Sequence, residues 1–127
     1  MRENIKNKTS NYPWLDKYLM SKPGATKDFK EEWLATRYML FGKMFAMQGD
    51  DNTARAVITL KLHPTNGAFL REQYPDIIPG YYMNKNHWNS VYLNGKVPDI
   101  VLKSMIDESH AILLASLTKK QQKEITG

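Results

Sequence analysis

The sequence predicts an α+β domain: a single antiparallel sheet of about five strands with helices packed on it, in the order α-β-β-β-α-β-β-α. Three observations predict it. Between residues 33 and 62, short aromatic, methionine-rich and alternating apolar runs are broken at Gly42-Lys43 and at Gly49-Asp50-Asp51-Asn52, the pattern of strands joined by tight turns. Two further short runs are punctuated by Pro79-Gly80 and Asn94-Gly95, both strong turn signals. Apolar residues at helical spacing occur near both ends of the chain. Short turns between strands imply antiparallel pairing.

The first helix is carried by NYPWLDKYLM. Pro13 suits its first turn, where a missing N–H has no helical partner anyway. Trp14, Leu15, Tyr18 and Leu19 share a face, and Lys22-Pro23-Gly24 stops it. ATKDFKEE reads as a polar connector. Strands follow at about 33–41 and 43–48, joined at Gly42. In ARAVITLKLHP, Ala56, Ile58, Leu60 and Leu62 alternate with Arg55, Val57, Thr59 and Lys61, a strand with one dry and one wetter face. These three strands form a meander.

His63-Pro64 ends the third strand, and PTNGAFLREQYP reads as a helix closed by Pro75. A short strand is expected near 81–84 and a better one at 88–93. The clearest helix starts at Pro98, with Asp99 complementing its positive end. Its core stripe is Leu102, Met105, Ile106, Ser109, Ile112, Leu113 and Leu117, and Lys103 with Asp107 is spaced for an outer ion pair. Residues 1–127 are expected to be one domain, with 1–10 and 119–127 as loose ends, the latter a short helix or a frayed end.

The 127 residues carry a formal charge of +5, with 18 Lys and Arg against 13 Asp and Glu, so polyanions are natural partners. Without cysteine, disulfides, thiolate catalysis and cysteine-bound zinc are excluded. The first fourteen residues lack an apolar core of a secretory signal, and no apolar run approaches the ~20 residues that cross a bilayer. A cytoplasmic location with no membrane association is the expectation.

No catalytic site is expected. His63, His87 and His110 have no metal-ligand spacing. Neither a nucleophile elbow nor a glycine-rich phosphate loop occurs. The stretch Lys85-Asn86-His87-Trp88 is the densest chemistry in the chain. On an extended strand Lys85 and His87 point the same way, suited to an anion. The plainer reading is that His87 satisfies a turn while Trp88 fills the core. No metal or other cofactor is expected.

PGATKDF (23–29), GKMFAM (42–47), TLKLHP (59–64), MNKNHWNSVYLNGKVPD (83–99) and DESHAILLASL (107–117) resemble the MmcQ/YjbR family, across about residues 12 to 118. The resemblance implies a double-wing, CyaY-like α+β domain, a type described as DNA-binding by analogy of fold. The chain departs from the family pattern at Lys30-Glu31-Glu32-Trp33, at Asn94 and at His110.

The expected function is therefore non-enzymatic binding of double-stranded DNA on a basic surface. The candidate contacts are Lys43, Arg55, Lys61, Arg71, Lys85, His87 and Lys96, with Tyr81 or Tyr82 to stack or donate hydrogen bonds. Against a simple wing stands the acidic turn Gly49-Asp50-Asp51-Asn52. The alternative is an interaction module that pairs with itself or another protein through Tyr38, Met39, Met44, Met47 and Met83. A small-molecule site near Lys85 and His87 has the least support.

Overall fold

A computed structural model describes residues 10–80 and 84–127. Its elements are α1 (Leu15–Ser21), β1 (Thr26–Lys30), a 3-10 turn (Glu31–Trp33), β2 (Ala35–Leu40), β3 (Lys43–Asp50), β4 (Ala56–Lys61), α2 (Pro64–Gln73), β5 (Ile77–Pro79), β6 (Trp88–Tyr92), α3 (Asp99–Ala115) and α4 (Lys119–Thr126). The strands form one six-stranded sheet in the order β1-β2-β3-β4-β6-β5, and every neighbouring pair is antiparallel. The α+β class and the meander β2-β3-β4 follow the expectation.

Two strands differ from it, and the C-terminal tail takes one of its two expected forms. The supposed connector holds β1, an edge strand whose residues are mostly exposed. Such a strand need not alternate apolar and polar residues, and charge there is ordinary, so its signal is weak. A strand forms at Ile77–Pro79, while the one expected near 81–84 falls largely outside the described residues. Residues 119–126 form a capped helix, the ordered one of the two forms expected for the tail. Thr118 accepts from the Gln121 N–H and Gln121 reaches back to the Thr118 N–H, a reciprocal cap. Residues 1–9, expected as a loose arm, lie outside the described residues.

The helices cover one face of the sheet. Tyr38, Leu40, Phe45, Ile58, Leu60 and Val91 meet Leu15 and Leu19 of α1 and Leu102, Met105, Ile106 and Leu113 of α3. The N-terminal segment is pinned to the sheet's other end, where the Asn11 N–H donates to Leu93 O at 2.8 Å and the Tyr12 hydroxyl to Val97 O at 2.8 Å. Gly24, at φ +79°, leaves room for Ile125 of α4; a β-carbon there would stand 2.9 Å from it.

One rung of the sheet is made by a helix. A bulge shifts the β2–β3 register between Tyr38 and Met39, and the β3–β4 ladder ends at Ala46–Leu60. Beyond it, Ser109 of α3 donates to Phe45 O at 2.5 Å and accepts the Lys61 N–H at 2.9 Å. The hydroxyl thus replaces a missing backbone bond between β3 and β4.

Lys103 and Asp107 do not form the expected pair. Asp107 accepts from Lys22 Nζ and from the Tyr18 hydroxyl, both at 2.7 Å. Lys103 lies over the rings of Trp14 and Tyr18. The geometry tying α1 to α3 satisfies Asp107 better than its own helix neighbour does.

These contacts set a pH dependence. Hydrogen bonds from Lys27 and then Tyr38 hold Asp16 below the usual carboxylate range. Burial pushes Asp107 up, but hydrogen bonds from Lys22 and Tyr18 outweigh it and leave it low. Burial likewise raises Asp51, and bonds from Thr53 and Arg55 more than reverse it. A carboxylate lower in the folded state stabilises above its unfolded value and loses that contribution as pH falls. The denaturant midpoint should therefore fall as pH drops through about 4 and below, and Asp16→Asn should flatten that decline. An unchanged acid limb in Asp16→Asn removes this carboxylate from the account. At the alkaline end the Tyr18 phenol, hydrogen-bonded to Asp107, is pushed up to about 12, so its contribution fades as pH rises from about 10 towards that value.

Candidate nucleic-acid interface

The antiparallel register sorts the strand ends into two groups. At one end lie the start of β3 at Lys43, the end of β4 at Lys61 and the start of β6 at Trp88. At the other lie the 3-10 turn, the β3–β4 turn and the end of β6 at Tyr92. The two ends differ in charge.

At the first end, Lys61 and Trp88 are cross-strand partners, and the Lys61 ammonium lies 5.9 Å from the centroid of the Trp88 ring. Their face of the sheet is the one without helices. The turn entering β6 is wound on Asn84: its carbonyl accepts from the His87 and Trp88 N–H groups, and its side-chain oxygen from the Asn86 N–H at 2.9 Å. The His87 carbonyl accepts the Leu62 N–H at 2.8 Å, which fastens this turn to the end of β4. Lys85 is exposed on it.

This corrects two expectations. Lys85 and His87 occupy a turn, not an extended strand, so the alternation argument for their common direction does not apply. Trp88 is half-buried on the open face rather than in the core. The side chain that enters the interior is Asn89, fully buried. It accepts from Arg71 Nη1 of α2 and donates to His87 O at 3.2 Å. Gly67 lets the helix approach, since a β-carbon there would stand 3.1 Å from the Asn89 amide. Gly80 plays the same role for Trp88, whose Cβ would be 2.9 Å from an added methyl.

The other candidates divide. Lys43 reaches Ser116 O and Oγ at 3.2 and 3.3 Å, at the C-terminal end of α3, a favourable place for a cation. Arg71 is engaged by Asn89. Arg55 packs on Tyr92, 3.4 Å from its centroid, and donates to Asn94 Oδ1 at 2.9 Å. It belongs to the second end, as does Lys96, whose backbone N–H is held by Asp76 at 2.9 Å. The seven candidates therefore do not form one patch. Lys43, Lys61, Lys85 and His87 share an end of the sheet; Arg55 and Lys96 are at the opposite one. Tyr81 and Tyr82 lie outside the described residues.

The second end is acidic. Asp51 Oδ1 accepts from the backbone and hydroxyl of Thr53 and from the Arg55 N–H, closing the β3–β4 turn. Asp50, Asp51 and Glu32 line a groove of about 470 Å³ on the open face, beside Trp33, Met47 and Val57. The length of β4, about 17 Å, separates this turn from Lys61. Screening at physiological salt acts over about 8 Å, so the acidic turn scarcely weakens the potential at Lys61.

Ion pairing is segregated too. The ion-paired cations among the described residues are Lys22, Lys27, Lys30 and Arg37, all on α1 and the β1–β2 side. None of the seven basic candidates has a carboxylate at ion-pair distance there. Just past the end of β4, the two oxygens of Glu108 accept from the His63 N–H and the Asn66 amide.

The surface proposed for adaptable protein contact is mostly interior. Tyr38 and Met39 are buried and Met44 and Met47 half-buried; Met83 lies outside the described residues. His110 is also buried, its Nε2 2.8 Å from Pro23 O and its ring edge-on to Phe45. Among the described residues no three His, Asp or Glu side chains gather as metal ligands, and no helix is long and apolar enough to cross a membrane.

A family model described as YjbR matches residues 20–112. The uncharacterized protein YjbR of Escherichia coli K12 is 33% identical over 109 residues, covering 86% of this chain and 92% of that protein. The uncharacterized protein YbdF of Escherichia coli O157:H7 is 33% identical over 90 residues, covering 69% and 71%. Among solved structures, protein DR2400 of Deinococcus radiodurans, a DUF419 domain, superposes with a TM-score of 0.78 at 26% identity, over 93% of this chain and 91% of its own. A Pseudomonas syringae protein gives 0.69 at 27% identity, over 80% and 97%.

Proposed function

The chain belongs to the YjbR family, and on that footing we propose that it is a non-catalytic domain that binds the phosphate backbone of double-stranded DNA. The contact is the sheet end carrying Lys43, Lys61, Lys85 and His87. The single observation behind this reading is the segregation of charge. Among the described residues these basic side chains share one end without carboxylate partners, while the acidic turn stands a strand's length away. The His110 ring is spent on fold contacts.

Three lysines neutralising three phosphates give a slope of log affinity against log salt of about −2.7. Lys61→Ala with Lys85→Ala should bring it to about −0.9 and weaken binding to random duplex at low salt. Lys96→Ala, at the acidic end, should change neither. Fluorescence anisotropy with a labelled duplex at several ionic strengths reads both quantities. Equal losses from Lys96→Ala and from the Lys61/Lys85 pair, or no binding at low salt, would sink the proposal.

A further inference from the structure

The strand missed in the sequence carries an unused interface. Among the described residues β1 is an edge of the sheet and pairs only with β2. Its residues Thr26 to Phe29 are exposed, and Phe29 shows 54% of its surface to solvent. An edge strand presents free backbone donors and acceptors to any second strand. Charge usually blocks that, because a random partner meets it with like or unpaired charge. Here the order of the charges matters. From Lys27 the chain reads Lys-Asp-Phe-Lys-Glu.

We propose that two copies of this chain join through antiparallel β1 strands, with Phe29 opposite the second copy's Phe29. In that register Asp28 faces the second copy's Lys30. The two-fold axis repeats this pair, so both charged contacts are between opposite signs. The axis itself passes between uncharged aromatic side chains.

The selection is sharp because the alternatives fail. A symmetric antiparallel pair keeps the helices of both copies on one side of the joined sheet. Directly opposed residues must then lie on the same face, so the axis passes through one residue and its own copy. Centred on Asp28 or on Lys30, the pairing sets a charge against itself. Centred on Lys27, it does the same. Of the residues of β1 only Thr26 and Phe29 bring no charge to the axis, and centring on Thr26 would leave that residue alone of β1 facing its copy.

Existing contacts fit this arrangement. Asp28 already receives a two-pronged hydrogen bond from Arg37 at 2.8 and 2.7 Å, which aims its carboxylate along the open face. Lys30 lies on the same face and reaches Glu32 only at 4.0 Å, so its ammonium is available to a nearer carboxylate. Phe29 opposes Thr36 on the other face and would stack on its counterpart there. The resulting sheet would be continuous through both copies.

A charge-swap mixture tests this directly by sedimentation equilibrium. The unmodified chain should dimerise. Lys30→Glu sets like charges at two symmetric places, as does Asp28→Lys, and each should weaken dimerisation at least about tenfold. Mixed in equal amounts, the two variants regain opposite charges at both places, so dimers should return. That recovery cannot come from unfolded chains. Phe29→Asp, at an exposed position, should weaken the dimer while leaving the circular dichroism spectrum unchanged. A monomeric unmodified chain at about 100 µM, variants that dimerise like it, or a mixture that stays monomeric would each overturn the proposal. All measurements are made without nucleic acid, so the result stands apart from the DNA reading.

Discussion

Phe45→Ala is expected to remove about 3–5 kcal/mol of unfolding free energy and to lower the thermal midpoint by roughly 10 °C or more. Phe45 is wholly buried. Its ring meets Tyr38 at a 6.5 Å centroid distance and His110 at 5.4 Å, both edge-on. It sits at the bulge in β3, where the extra residue turns its side chain into the core together with its neighbour Ala46. Its two ring neighbours are held in place, a tyrosine tied to Asp16 at 2.8 Å and a histidine tied to Pro23 O, so neither can turn into the cavity. Phe29→Ala, on the exposed edge, should cost less than about 1 kcal/mol. A chemical denaturation pair reads both, and similar midpoints for the two variants would contradict this view of the core.

What the sequence made legible was whatever rested on periodicity. The meander from residue 35 to 61 and the long helix from Asp99 carry unbroken signals, because each buries a stripe or a face at a fixed spacing. Strand β1 carries none. Its residues are paired by backbone and left in water, so Thr-Lys-Asp-Phe-Lys looks like any polar connector. The same reason explains Trp88. A large aromatic is normally read as core, but register places it opposite Lys61 on the face that no helix covers, and the interior takes Asn89 instead. A buried asparagine is visible only through its partners, Arg71 and the His87 carbonyl, which come from a helix and a turn.

The basic candidates were separable by topology but not by spacing. Arg55 and Lys61 alternate on the same face of one strand, and the sequence puts them together. Their positions at opposite ends of β4 decide their surroundings: one beside the Asp51 turn, the other beside the His87 turn. Which end gathers carboxylates depends on strand pairing across the whole sheet, a long-range property that residue type does not encode.

Ser109→Ala should cost about 2–4 kcal/mol, because it strands a buried carbonyl and a partly buried N–H at once. The hydroxyl is fully buried and bridges Phe45 O and the Lys61 N–H where the β3–β4 ladder has stopped. Alanine fits the same space, so the loss is almost purely that of hydrogen bonds. Hydrogen exchange at the Lys61 amide should rise well beyond that of Thr59, which lies within the paired ladder. A water molecule filling the gap would hold the cost below about 1 kcal/mol and leave exchange unchanged, and that outcome would show the rung to be dispensable. The change also bears on the proposed contact with DNA, since it loosens the end of β4 that presents the Lys61 ammonium. No charge is lost, so the salt slope should keep its value of about −2.7 while affinity falls a few-fold. A variant that changed the slope instead would mean that Ser109 governs how many phosphates are met, and not merely how firmly one lysine is held.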